Sequence, residues 1–180
     1  MYKDMIRFIV KYFKNTESYS IGRFIFEMYL LATFAKILII IFSLTAAVVY
    51  EPFETIFFGE TDESVSQFTG LTWIEGLFIL CIVLPFIESI IGQGIPIWLL
   101  TKVTNNKMLY VVISSVWFAY LHSIVLEGIS FALIVFFGGI IFAWCFTVYK
   151  EKGFWKGILV ATCVHILFNF TVFITYYIIP

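Results

Sequence analysis

Four residues deep in apolar stretches of this 180-residue chain have side chains that could do chemistry: Glu88, His122, His165 and Asn169. An ionisable group inside a hydrophobic span costs about 3 kcal/mol or more unless it is paired or hydrated, so each needs a reason to be there. The set includes both histidines of the chain. Three chemistries could use it. One is amide hydrolysis, which needs a base for water, a proton donor for the leaving nitrogen and donors aimed at the developing oxyanion. Another is a metal site, since two imidazoles and a carboxylate suit zinc or iron. The third is a proton or ion path, because Glu/His chains also relay protons.

The elements that position these residues follow from composition. Hydrophobic residues make up 62% of the chain, aromatic residues 21% and charged residues 13%, with a mean hydropathy of +1.01. Soluble domains have roughly 25% charged residues, so a soluble enzyme, a nucleic-acid binder and a disordered chain are all excluded. A bilayer core takes about 20 helical residues, and five stretches qualify: 24–49, 72–100, 108–126, 129–149 and 157–179. The fold expected is an all-α integral membrane protein, a bundle of five transmembrane helices. The second stretch holds Pro85, Gly92, Gly94 and Pro96, which predict a kink or break there.

Charge sets the orientation. Lys3, Arg7, Lys11, Lys14 and Arg23 precede the first span, Lys102 and Lys107 follow the second, and Lys150, Lys152 and Lys156 follow the fourth. The intervening segment 50–71 has no Lys or Arg but carries Glu51, Glu54, Glu60, Asp62 and Glu63. Basic residues on alternate loops predict a cytoplasmic N-terminus. Residues 1–23 then form a basic cytoplasmic or interfacial segment, with an amphipathic helix whose apolar face holds Ile6, Ile9, Val10 and Phe13. Residues 24–49 are the first span, 50–71 an acidic external loop and 72–180 a four-helix core. Cys81, Cys145 and Cys163 lie in apolar runs and read as buried small hydrophobes. Lys36, in the middle of the first span, should snorkel, pair with a carboxylate or line a wet cavity.

At 1.5 Å per helical residue, Glu88 lies about 21 Å in from Lys102, and His122 about 21 Å past Met108. His165 and Asn169 lie about 13 and 20 Å past Lys156, and their i, i+4 spacing puts both on one helix face. Three spans are thus expected to deliver Glu, His, His and Asn to one level of the membrane. Hydrogen bonds between helices in a bilayer average about 0.6 kcal/mol, a weak reason to bury these groups for structure alone.

In order along the chain the same residues form a pattern. Glu88-Ser89-Ile90-Ile91-Gly92-Gln93 is similar to a degraded EExxxR, Phe118-Ala119-Tyr120-Leu121-His122 is FxxxH, and His165-Ile166-Leu167-Phe168-Asn169 is HxxxN. Over residues 73–170 the chain resembles the CPBP (Abi) family of intramembrane endopeptidases, named for CAAX-prenyl proteases and bacteriocin processing, which includes the Ras-converting enzyme. The resemblance implies a glutamate-dependent peptidase with no metal or other cofactor. In that scheme Glu88 activates water, His122 assists it, and His165 with Asn169 forms the oxyanion site. Ser89, Gln93 and Phe118 are the supporting positions. The implied partners are the lipid bilayer and a membrane-presented peptide or protein, prenylated or not, with no nucleic acid. The implied location is multi-pass in a bacterial or archaeal cytoplasmic membrane. Ser89 and Gln93 stand where the motif has a second glutamate and an arginine. A catalytically inactive member serving as a membrane immunity, binding or regulatory protein is therefore the alternative.

Overall fold

A computed structural model describes Arg7 and residues 11–49, 72–123 and 129–177, and among these the only regular structure is helical. Five helices carry the fold: α1 (Ile21–Val49), α2 (Trp73–Leu100), α3 (Lys107–Ser123), α4 (Ile129–Tyr149) and α5 (Phe154–Tyr177). Four helical stretches are long and apolar enough to cross a membrane: Ile21–Ala46, Trp73–Leu100, Ile129–Lys152 and Phe154–Ile174. The expected third span forms as α3, but its 17 described residues make it the shortest of the five. The chain is a multi-pass integral membrane protein of the all-α class, as composition requires. The expected external loop 50–71 and the residues Ile6, Ile9 and Val10 lie outside the described residues.

Helix α4 is the central element. It is apolar all round, and Ile141 through Tyr149 are buried without interruption, the pattern of a helix enclosed by others. Helices α1, α3 and α5 pack around it. Helix α1 turns the stripe Phe24, Met28 and Ala32 inward at four-residue intervals, while Phe26, Leu30, Phe34 and Ile41 stay exposed on the lipid side. It begins three residues before the expected limit, which brings Arg23 inside the helix, paired with Glu27 at 2.8 Å. The N-terminal segment is tied to the bundle: Trp144 Nε1 donates to Thr16 Oγ1 (3.2 Å) and Phe13 packs edge-on against Trp144 (5.2 Å). At the α4–α5 turn, Gly153 takes φ of +129°, a conformation that side chains other than glycine's disfavour.

Two expectations change. Cys81 and Cys145 are buried, but Cys163 is exposed, because it sits two residues before His165 and so points away from the bundle. Among the described residues Lys36 has no carboxylate partner. Its Nζ donates to Thr171 Oγ1 (2.7 Å) and lies 4.7 Å from the centre of the Phe168 ring, joining α1 to α5 through neutral partners.

The predicted kink in α2 takes a specific form. Two wide π-type turns, Ile79–Val83 and Ser89–Gly94, each end just before a proline. In them Leu84 N–H donates to Ile79 O and Ile95 N–H to Ile90 O, five residues back. The next donors in that register would be residues 85 and 96, and proline has no N–H to give. Leu80 O and Ile91 O are therefore left for other partners. Asn169 Nδ2 takes Leu80 O (3.0 Å) and Trp117 Nε1 takes Ile91 O (3.2 Å), while Ser114 Oγ takes the adjacent Gly92 O (2.7 Å). Side chains of α3 and α5 thus occupy backbone acceptors freed in α2, as buried carbonyls in an apolar environment require.

Candidate active site

Glu88 lies between the two wide turns of α2 and meets both histidines. Its Oε1 is 3.6 Å from His122 Nε2 on α3, and its Oε2 is 3.4 Å from His165 Nε2 on α5. Both distances exceed those of a compact charge-assisted hydrogen bond. Glu88 and His122 keep side-chain exposures of 27% and 19%, whereas His165 keeps 4%, so the reachable side of the cluster is that of Glu88 and His122.

The far nitrogens of the two rings have different surroundings. His122 Nδ1 lies 2.9 Å from Phe118 O. A carbonyl only accepts, so Nδ1 carries a hydrogen and a neutral His122 presents a bare Nε2 to Glu88. His165 Nδ1 is buried and has no hydrogen-bond partner among the described residues. Beside an ionised Glu88, its Nε2 is the nitrogen that carries the hydrogen. Asn169, one turn beyond His165, anchors one amide hydrogen on Leu80 O, which leaves the other available.

Aromatic rings hold the imidazoles. Phe142 stacks on His165 (4.3 Å, 20° between planes). Phe118 lies 4.4 Å from the His122 ring and meets the His165 ring edge-on at 5.7 Å. Phe118 itself sits in a slot between Gly92 and Gly139. A Cβ on Gly92 would come within 2.5 Å of Phe118 Cδ2, and one on Gly139 within 3.1 Å of Cδ1. Gly92→Ala should therefore push the ring from its slot at a cost of about 1–3 kcal/mol, the usual scale of overpacking. Thermal unfolding of the purified variant checks this, and an unchanged Tm would show that the slot is not tight.

Of the four expected site residues, Glu88, His122 and His165 come together, with Phe118 against both histidines, while Asn169 stands one turn beyond His165 and is bonded to Leu80 O. Ser89 and Gln93 are fully buried, and Ser89 Oγ and both amide atoms of Gln93 have no hydrogen-bond partner among the described residues. Sequence reasoning did not single out Phe142, Gly139 or the Leu80 carbonyl. Gly138-Gly139 and the two prolines were the available signals, since small residues mark close helix approach and proline marks a freed acceptor. Among the described residues no group of three His, Cys, Asp or Glu side chains is arranged to hold a metal ion.

Neither a curated protein nor a solved structure matches the chain. A family model does: residues 70–171, more than half of the chain, match the type II CAAX prenyl endopeptidase Rce1-like family. That stretch holds Glu88, Phe118, His122, His165 and Asn169. On this match, the chain belongs to the Rce1-like family of CAAX-type membrane peptidases.

Proposed function

We propose that this protein is an intramembrane endopeptidase in which Glu88 activates water to hydrolyse a peptide bond of a membrane-presented peptide or protein. The observation that carries this reading is the approach of one carboxylate to two imidazoles, 3.6 and 3.4 Å away, with an anchored asparagine one turn from the second. Glu88 Oε1 and the bare Nε2 of His122 are two acceptors facing each other. A water donating to both has its oxygen lone pairs free to attack a carbonyl carbon. As the C–O bond forms, Glu88 takes the water's proton, and the carbonyl oxygen gains the negative charge. Once protonated, Glu88 releases the Nε2–H of His165, which together with the free Asn169 amide hydrogen can donate to that oxyanion. The proton held by Glu88 then passes to the amide nitrogen as the C–N bond breaks.

The alternation of basic loops supports a cytoplasmic N-terminus, with the four-helix segment 72–180 as the catalytic core. A C-terminal tail, prenylated or not, or a leader peptide held at the membrane is the substrate class this reading favours. Comparing turnover of matched peptides with and without a prenyl chain tests it. If the lipid docks beside the site, prenylation should lower KM, and equal constants for both peptides would remove the lipid from recognition. Turnover should also survive strong chelators, because Glu88 itself serves as the base. Loss on chelation that zinc restores would overturn the metal-free mechanism.

A further inference from the structure

His165 has one nitrogen directed at Glu88 and the other buried without a partner among the described residues, and the register of α2 against α5 sets which turns face each other there. Helices α2 and α5 run antiparallel in a fixed register: Leu80 O is bound by Asn169, Glu88 faces His165, and a Cβ on Gly94 would touch Ile158 Cδ1 at 2.7 Å. Residues 89–93 of α2 therefore lie opposite the part of α5 between Ile158 and His165. Ser89 and Gln93 are one turn apart on α2, and Thr162 is one turn from both Ile158 and His165 on α5. Ser89 and Gln93 are 0% exposed, His165 3% and Thr162 5%. Ser89 Oγ, Gln93 Nε2 and Oε1, Thr162 Oγ1 and His165 Nδ1 have no hydrogen-bond partner among the described residues.

Five unpartnered buried atoms from four side chains on two facing helix turns are far from the usual state of buried polar groups. Buried water solves this problem where two to four polar groups converge, and it supplies both donors and acceptors. The geometry points to a buried water-binding site between α2 and α5, formed by Ser89, Gln93, Thr162 and the Nδ1 edge of His165. A water there accepts from the Gln93 amide and donates to His165 Nδ1, with the Ser89 and Thr162 hydroxyls completing its shell. Donation to Nδ1 reinforces the hydrogen of His165 on Nε2, facing Glu88. Ser89, Gln93 and Thr162 are thereby positioning residues for His165. Serine and glutamine make a neutral, hydrated replacement for the glutamate and arginine of the motif. The catalytic meaning of this tautomer rests on the peptidase reading, but the water site does not.

The test uses full-length protein in nanodiscs with [15N]histidine, which reports on only two rings. In wild type, His165 should show hydrogen on Nε2, none on Nδ1, and magnetisation exchange with water. Gln93→Met and Thr162→Val are near-isosteric and should each lose the water exchange and shift the Nδ1 resonance, while Nε2 keeps the hydrogen that faces Glu88. Each should also lower the apparent Tm by about 2–4 °C. Thr162→Ser keeps the hydroxyl and should keep the wild-type spectrum. If the groups are instead orphaned, removing them leaves Tm unchanged or raises it, because an unpaired buried polar group is itself a cost. That result, or a wild-type His165 without water exchange, would overturn the proposal. No readout uses a substrate, so failure to find peptidase activity leaves this test intact.

Discussion

Glu88→Gln is expected to abolish peptide hydrolysis while the protein still folds. The amide is nearly the size of the carboxylate and still faces His122 Nε2 and His165 Nε2, so the packing of α2 against α3 and α5 should hold. It cannot take a proton from water, and no other carboxylate lies within ion-pair distance of either histidine among the described residues. General-base catalysis typically contributes about 10²–10⁴-fold, and the acceptor left beside the water, His122 Nε2, no longer has the Glu88 carboxylate across from it. Turnover falling to background at wild-type Tm is the outcome to look for. Residual activity within tenfold of wild type would mean that Glu88 is not the base.

The second large effect is expected on the opposite side of the reacting carbonyl. His165→Ala and Asn169→Ala should each reduce kcat by about 10²–10³, the range for removing one oxyanion donor. The loss should appear in kcat with KM little changed, because the donors act on charge that develops only in the transition state. Asn169→Ala carries a second consequence. It strips Leu80 O of its donor in a turn where Pro85 cannot supply one, so this variant should also lose stability, by about 1–3 kcal/mol. His165→Ala should lose stability as well, because it empties the buried space stacked on Phe142. A rise in KM with kcat unchanged would reassign both residues to substrate binding.

Much of this site could be read from the sequence because the membrane makes polar residues conspicuous. Glu88, His122, His165 and Asn169 stand out in apolar runs, and helical rise alone placed them at neighbouring depths. The span limits followed from the same contrast, and α2, α4 and α5 begin or end within a few residues of expectation. What could not be read is what depends on contacts between apolar residues. Phe142 stacks on His165, yet α4 is hydrophobic all round and has no periodicity to set one phenylalanine apart. Gly92 and Gly139 grip Phe118 from two helices, a match of shapes that neither sequence segment contains alone. Pro85 and Pro96 predicted a kink, but the five-residue spacing of the turns decides which carbonyls are freed and hence where Asn169 is anchored. Lys36 shows the opposite limit: its charge left snorkelling, a carboxylate partner and a wet cavity all open, and its nearest described partners are a hydroxyl and a ring face.

The most direct measurement is cleavage of a quenched peptide library, with and without prenylation, by purified wild type and Glu88→Gln side by side in lipid. The mechanism predicts turnover by wild type, none by the variant, and equal unfolding temperatures for the two. Equal turnover by both would contradict glutamate-dependent hydrolysis. No turnover by folded wild type across several lipids and pH values would contradict peptidase activity itself and turn the search to a membrane-bound protein partner.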